Sequence, residues 1–399
     1  MFHRGILLHK TEYMMKKRVG IITILRVNNY GAELQAYATQ RIMNLMGYDA
    51  EIIDYLYYRN REHIREHCSM PFYPYPLKNR IKEWVLRLLD TIEQYLRSDV
   101  NERRMTRFCE FHNQFNRFST IKYQRYSELF ANPPLYDAYC VGSDQVWNPR
   151  CYTNLYPYFL KFAPDESIKF SYASSFGVSS LPDLAKDRYL ECLNNLTSIS
   201  VRESQGRDIV KQITGKDAVL VADPTLLLDK QQWEKVEKHV SNIPQRYVLV
   251  YELRKMDRVM ETAIRVSEKL DCSIVRICKN TSSAKDIPGI VNIIDAGPSE
   301  FIYLFNHATF VVTNSFHGTA FSINFKKDFY CVLSKKATNN SRQIGLLNLC
   351  GMSDRIVYDN QPVDSIGVTN IDYTQASKAL EEFKNKSIEY IRKAIDGTE

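Results

Sequence analysis

Residues 19–54 read VGIITILRVNNYGAELQAYATQRIMNLMGYDAEIID. Val19 to Leu25 is a short apolar run rich in β-branched side chains, the pattern of a strand buried on both faces of a parallel sheet. A polar turn follows at Asn28-Asn29-Tyr30-Gly31. From Ala32 to Met46 the residues Leu34, Ala38, Ile42 and Leu45 recur at helical spacing. Gly47 stands just after them, where a helix wants a left-handed residue and glycine adopts that conformation without strain. Ala50 to Asp54 reads as the next strand. Strand, helix and strand over this length make a βαβ unit, with a right-handed crossover and a parallel sheet.

The pattern breaks over residues 56–125, which hold 14 Lys/Arg against 8 Asp/Glu. Pro71 to Pro76 is a loop. Ile81, Trp84, Val85, Leu88, Leu89, Ile92, Tyr95 and Leu96 form an apolar stripe at helical spacing. A second helix is expected over 99–117, so the region reads as a helical insertion in the first domain. Short strands resume at 136–141, 168–173, 198–201 and 219–221. Each runs into polar residues: Gly142 to Asn148, Ser174 to Gly177, Arg202 to Ser204, and Asp223 to Thr225. In open α/β sheets ligands bind at that carboxyl edge. Asp229 to Pro244 is polar and reads as a helical linker. A second alternating series then starts at 247–253 and includes a strand at 309–313. Asn314-Ser315-Phe316-His317-Gly318-Thr319 follows that strand and opens a helix. A terminal helix is expected over about 374–395.

The order of elements predicts an α/β chain of GT-B type, with two Rossmann-like βαβ domains facing a central cleft. The boundaries expected are an extension at 1–15, a first domain at 16–235, a second at 236–373 and a C-terminal helix at 374–399. Met14 and Met15 stand just before the first strand, so residues 1–13 are expected to be a disordered upstream extension.

The chain has 399 residues, 44% hydrophobic and 25% charged, so a globular core is no difficulty. No apolar run approaches the ~18–20 residues of a membrane span. The net charge of +7 is too mild to argue for nucleic acid, and it suits an anionic small ligand. The nine Cys include no Cys-x-x-Cys pair, as expected of a reduced cytoplasmic chain. There is no Walker loop and no G-x-G-x-x-G after the first strand, which lowers ATPase and dehydrogenase readings. There is no His/Asp/Glu cluster of metal-ligand type and no G-x-S-x-G elbow. No metal and no cofactor are expected.

Ser315 to Thr319 carries the strongest chemical signal. Asn314 or Ser315 can cap the helix. The free N–H groups and positive dipole of its first turn suit a phosphate or carboxylate. His317 in that turn can exchange a proton near neutral pH, or it can simply satisfy backbone groups. Arg202 can clamp an oxyanion in bidentate fashion, or pair with Glu203 or another neighbour. Lys335, Lys336, Asn340 and Arg342 make a basic, amide-rich loop, suited to a phosphate or to solvent alone. Asp144, Gln145, Trp147 and Asn148 suit a sugar, with Trp147 against the ring, or a capped loop with a core Trp. Asn29, Tyr30 and Gly31 offer a close backbone approach to a ligand, or only a turn. Ser174 belongs to the same polar edge.

Six segments together resemble the polysaccharide pyruvyl transferase family. They are NNYGAELQAYA (28–38), VGSDQVWNP (141–149), SYASSFG (171–177), SVRES (200–204), ADPTLLL (222–228) and NSFHGTAFSI (314–323). They occur in family order. The resemblance implies a GT-B-like fold, phosphoenolpyruvate as donor substrate, and pyruvate joined to a sugar as a ketal. It implies His317 as general acid and Arg202 as a donor ligand, with Ser315, Phe316, Gly318, Thr319, Lys335, Asn340 and Arg342 around the donor. Asn29, Tyr30, Gly31, Asp144, Gln145, Trp147, Asn148 and Ser174 would face the acceptor. Some members carry Arg-Leu-His where this chain has Ser-Phe-His, so one cation is absent, and Arg342 or Lys335 is the expected substitute. The acceptor implied is a sugar or lipid-linked oligosaccharide of surface-polysaccharide assembly. The basic, aromatic insertion 56–125 suits contact with the inner face of an anionic membrane, or is a solvated helical face. A nucleotide-sugar glycosyltransferase and a non-catalytic sugar- or anion-binding protein stay open as other readings of the same fold.

Overall fold

The computed structural model describes residues 16–397, apart from 72–76, 79–80, 82–83, 86–87, 89–97, 152, 279–287 and 338–339. The expected N-terminal extension lies outside the described residues, as do Leu89, Ile92, Tyr95 and Leu96 of the apolar stripe.

Two parallel sheets build the molecule. The first contains β1 (Arg18–Ile22), β2 (Asp49–Tyr55), β3 (Phe118–Tyr123), β4 (Ala138–Val141) and β5 (Ile168–Ser171), in the order β3-β2-β1-β4-β5. The short pair β6 (Ser200–Val201) and β7 (Val219–Leu220) extends it through parallel bridges from Phe170 and Ser174. The second contains β8 (Tyr247–Tyr251), β9 (Ser273–Ile277), β10 (Ile290–Ile293), β11 (Phe310–Thr313), β12 (Asp328–Leu333) and β13 (Ile356–Tyr358). Its order is β10-β9-β8-β11-β12-β13. In each sheet the chain starts at a central strand, winds to one edge, then returns to the other side. The strand order therefore reverses beside β1 and beside β8, where open α/β sheets form their binding crevice. This is the GT-B arrangement that the element order predicts.

The apolar runs are continuous because both faces of each sheet are covered. Tyr247, Leu249 and Tyr251 enter one core, while Val248 and Val250 enter another on the opposite face. The first of these cores also takes Val19, Ile21, Leu34 and Tyr37 from the first half, so the two halves share a packed interior. Tyr30 links them by donating its hydroxyl hydrogen to Ala296 O at 2.8 Å. The helix Thr374–Asp396 crosses back to the first sheet, where Tyr390 donates to Ser171 O at 2.9 Å.

Two expectations need correction. The insertion is not purely helical, since it ends in β3, an edge strand paired with β2. The segment read as a helical linker is helical only at Lys230–Glu234, where Asp229 caps it. The described members of the apolar stripe, Ile81, Trp84, Val85 and Leu88, face solvent. Among the described residues no cysteine forms a disulfide. Among the described residues no helix is long and apolar enough to cross a membrane.

Candidate active site

The carboxyl ends of β1, β4, β8, β11 and β12 converge on a cleft of about 620 Å³ between the two sheets. From the first half it is walled by Asn29, Asp144, Gln145, Asn148, Arg150 and Gly177. From the second come Tyr251, Arg254, Lys255, the run Asn314 to His317, Ser334, Lys336, Asn340, Arg342 and Gln343, among others. A second cavity of about 630 Å³ shares Asn29, Asp144, Gln145, Asn148 and Arg150 and extends along the first domain past Arg59 and Arg61.

Ser315 caps the helix Phe316–Asn324, its Oγ accepting from Gly318 N at 3.3 Å. Ser315 O takes the N–H of Thr319. That cap fixes the first turn and sets His317 at the cleft wall, 7% exposed. The imidazole Nε2 lies 3.7 Å from Asp223 Oδ2, an ion-pair approach longer than a hydrogen bond. Nε2 has no hydrogen-bond partner among the described residues. On the Nδ1 side the ring rests on Gly31, where any Cβ would overlap Nδ1.

Asp223 is held by several neighbours. Its Oδ2 accepts from Arg202 Nη1 at 2.7 Å and Ser143 Oγ at 3.1 Å, and its Oδ1 from Thr225 N at 3.0 Å. Burial alone would raise its pKa. The neighbouring His317, then Arg202 and Thr225, overcome that and hold the carboxyl well below the usual range.

The sequence expectation for Arg202 is corrected here. Its side chain is fully buried and meets three carboxylates: Asp223, Asp144 at 3.0 Å and Glu203 at 3.7 Å. Burial opposes its charge, but those three anions raise its pKa above the ordinary value. It is the centre of an ion network behind the cleft wall rather than an open clamp. Sequence spacing offered Glu203 or another neighbour as a partner; the fold adds Asp144 from the end of β4 and Asp223 from the end of β7. Asp144 adopts a left-handed backbone, φ 71°, which re-aims its side chain at Arg202.

Arg342 is the cation that lines the cleft instead. It has no carboxylate partner among the described residues, and its guanidinium lies 5.9 Å from the centre of the Phe316 ring. Arg202 lies 5.2 Å from the same ring. Burial and the charge of Arg202 both push the Arg342 pKa down. A half-buried guanidinium with this deficit of negative charge is suited to an anion. Lys336, Arg254 and Lys255 add to it.

Other expected contacts are turned away. Trp147 is fully buried, stacked on Phe159 at 5.2 Å and donating Nε1–H to Tyr158 O at 2.7 Å, so it packs the core and meets no sugar ring. Tyr30 is 2% exposed and stacks on Phe301 at 4.6 Å. Ser174 Oγ donates to Gly142 O at 2.9 Å and Thr319 Oγ1 to Ser315 O at 3.0 Å, both fully buried. Gly318 packs its backbone against Thr313. Lys335 is exposed, its N–H held by Asp359, and the wall position belongs to Lys336. In each case the residue type was read correctly as polar-edge or aromatic, but the side chain or backbone is turned into the protein or to solvent and not into the cleft.

Asn29, Gln145, Asn148 and Asn340 do reach the wall. Asn148 Nδ2 donates to Gln145 Oε1 at 2.7 Å, and Gly177 leaves room for that pair. Asn29 also caps its helix through Gly31 N at 3.0 Å. Sequence reasoning missed Asp223, Arg254 and Lys255 as site residues. Asp223 carried a usable signal, an acid just past a strand end and before Pro224. The basic pair after β8 had no signal beyond its place at a strand end. Among the described residues no group of three or more His, Cys, Asp or Glu is placed to hold a metal ion.

A family model described as polysaccharide pyruvyl transferase matches residues 29–335. No curated protein matches the sequence. Among solved structures, the chain is similar to UDP-GlcNAc 2-epimerase from Methanocaldococcus jannaschii at 13% identity, covering 95% of this chain and 99% of that one, with a TM-score of 0.47. It is also similar to UGT89C1 of Arabidopsis thaliana at 10% identity, covering 95% and 99%, with a TM-score of 0.48.

Proposed function

The chain belongs to the polysaccharide pyruvyl transferase family, and on that premise we propose that it moves the enolpyruvyl group of phosphoenolpyruvate onto two hydroxyls of a sugar. The product is a pyruvate ketal, and phosphate is released. The observation that carries the reading is the cleft itself: Arg342, with no carboxylate partner among the described residues, beside a capped helix N-terminus, with His317 in the same first turn. Phosphoenolpyruvate brings a phosphate and a carboxylate to one small carbon skeleton, so it needs cations and oriented N–H groups together.

In this reading His317 is the general acid. Asp223 faces Nε2 and helps orient the ring, and Gly31, having no side chain, leaves the room that the Nδ1 side of the ring takes up. His317 gives a proton to the methylene carbon of the donor, making a methyl group and a cation at C2. One sugar hydroxyl adds to C2. The C2–O bond to phosphate breaks, and the second hydroxyl closes the ring. Of the two hydroxyl protons, one returns to His317 and the other leaves with phosphate. Arg342, Lys336 and the helix N–H groups hold the donor's charge through the step. Asn29, Gln145 and Asn148 face the acceptor hydroxyls from the opposite wall. The sugar is a hexose of a surface-polysaccharide precursor, carried on a lipid at the cytoplasmic face of the membrane.

The test is phosphate release from phosphoenolpyruvate with a panel of β-galactosides, glucosides and N-acetylhexosamines. Release that requires one sugar, and that falls about 10²–10⁴-fold in a His317→Ala variant, is the expected outcome. Release that is unchanged in that variant removes the acid role. Hexose transfer from a nucleotide sugar, with no phosphate from phosphoenolpyruvate, would replace the reading with a glycosyltransferase.

A further inference from the structure

The second cavity, about 630 Å³, continues the cleft along the first domain. Its charge is lopsided. Arg26, Arg59, Arg61 and Arg150 line it, against the carboxylates of Asp144 and Glu62. Both carboxylates are engaged, Asp144 with Arg202 at 3.0 Å and Glu62 with Lys122. Arg26 is held by Asp54 through hydrogen bonds of 2.7 and 2.9 Å. Arg59, Arg61 and Arg150 therefore give the wall its excess of positive charge, from two separate segments of the chain. Arg59 is set by Tyr58, whose hydroxyl accepts from Nε at 2.8 Å. Asn60 braces the same turn: it donates Nδ2–H to Arg26 O at 2.9 Å and accepts from Glu62 N at 2.9 Å. Arg59 and Arg61 thus flank a fixed turn.

We propose that this cavity binds an anionic group, a carboxylate or a phosphate, carried by the acceptor saccharide next to the sugar that is modified. The inference rests on the reading of Asn29, Gln145 and Asn148 as the acceptor wall. Those three residues line both cavities. A sugar whose hydroxyls meet them has the donor on one side, so the rest of the acceptor extends into the second cavity on the other. There it meets guanidinium forks, which bind carboxylate and phosphate in bidentate fashion. A concave wall of one sign also concentrates its field on such a group. A neutral saccharide offers those cations hydroxyls alone. Arg150 lines both cavities, so it stands between the donor's charge and the acceptor's and lowers their repulsion.

The experiment measures binding to the full chain by calorimetry, without phosphoenolpyruvate. Galactose, glucose and N-acetylhexosamine are each offered in three forms: linked to glucose, linked to glucuronic acid, and as the 1-phosphate. For one sugar, an anionic form is expected to bind about tenfold or more tighter than the neutral one. That ratio is expected to shrink as salt is raised. Preference for the glucuronide identifies an acidic saccharide; preference for the 1-phosphate identifies a phosphate-linked one. Arg59→Ala and Arg61→Ala are each expected to reduce the ratio several-fold, with donor affinity unchanged. Both side chains are exposed, so an unchanged melting temperature separates lost binding from lost folding. Lys238→Ala removes the same charge from an exposed position outside the cavity and is expected to leave the ratio unchanged. Equal binding of neutral and anionic forms for every sugar would overturn the proposal. So would a ratio that survives in the Arg59→Ala, Arg61→Ala double variant, since the anion would then sit in the first cavity. Ketal formation on a neutral sugar, with no gain from an added anion, would sink this inference and leave the pyruvyl transfer standing. Tight binding of an anionic form that phosphoenolpyruvate never modifies would do the reverse.

Discussion

His317, Asp223, Arg202 and Arg342 divide the work of the cleft by what each one touches. Arg202 looks like the anion clamp in the sequence, but three carboxylates already occupy it. Arg342 looks like one basic residue of a surface loop, yet it lines the cleft with His317 and has no carboxylate partner among the described residues. Arg342→Ala is therefore expected to raise KM for phosphoenolpyruvate about 10- to 100-fold, as loss of a charge-assisted contact does. An unchanged KM would move donor binding to Lys336 and the pair after β8. Asp223 gives a pH prediction with a definite sign. Its pKa in the folded chain lies below the unfolded value of about 4, so its contribution to stability is present above that pH and is lost as pH falls below it. Wild type should lose melting temperature on acidification below about pH 4 more steeply than Asp223→Ala. At neutral pH the variant should be less stable by about 3–5 kcal/mol, because Arg202 is left buried with less compensation. Parallel acid profiles for the two proteins would contradict the network.

Whole elements were more legible than facings. The βαβ unit at 19–54, the strand before Asn314 and the terminal helix follow from periodicity and from glycine or capping residues at their ends. β3 was missed because FSTIKY is an edge strand with a polar, largely exposed middle, so its pattern merged with the basic insertion around it. β13 is three residues long and carries no period. At the site, the motif around Asn314 was readable because a capped helix after a strand has a fixed chemistry. Asp144 to Arg202 and Asp223 to His317 were not readable, since those pairs form between strand ends 58 and 94 positions apart. The turn into the helix Tyr30–Leu45 joins the two kinds of information. Asn29 caps the helix, and Gly31 gives the His317 ring its seat. Gly31→Ala changes a helical position where alanine is otherwise the better residue. It should therefore keep the helix yet displace His317, lowering kcat by at least tenfold with a smaller change in KM for the donor. A variant with full activity would show that the ring does not need that seat.

At the level of the whole molecule, the two sheets do not meet as loosely tethered lobes. A shared core, the Tyr30 to Ala296 hydrogen bond and the returning C-terminal helix hold both walls of the cleft in register. Arg103 and Arg107 of the insertion reach Asp295 of the second half at 3.2 and 3.0 Å. The cleft therefore brings a basic wall from one half against an amide-rich wall from the other, which suits an anionic donor facing a polyhydroxylated acceptor. The most direct measurement is the mass of the sugar after incubation with phosphoenolpyruvate and the protein. A gain equal to pyruvic acid less one water, with an equal amount of phosphate released, is the predicted result. A gain of a hexose less one water from a nucleotide sugar, with phosphoenolpyruvate left intact, would contradict it.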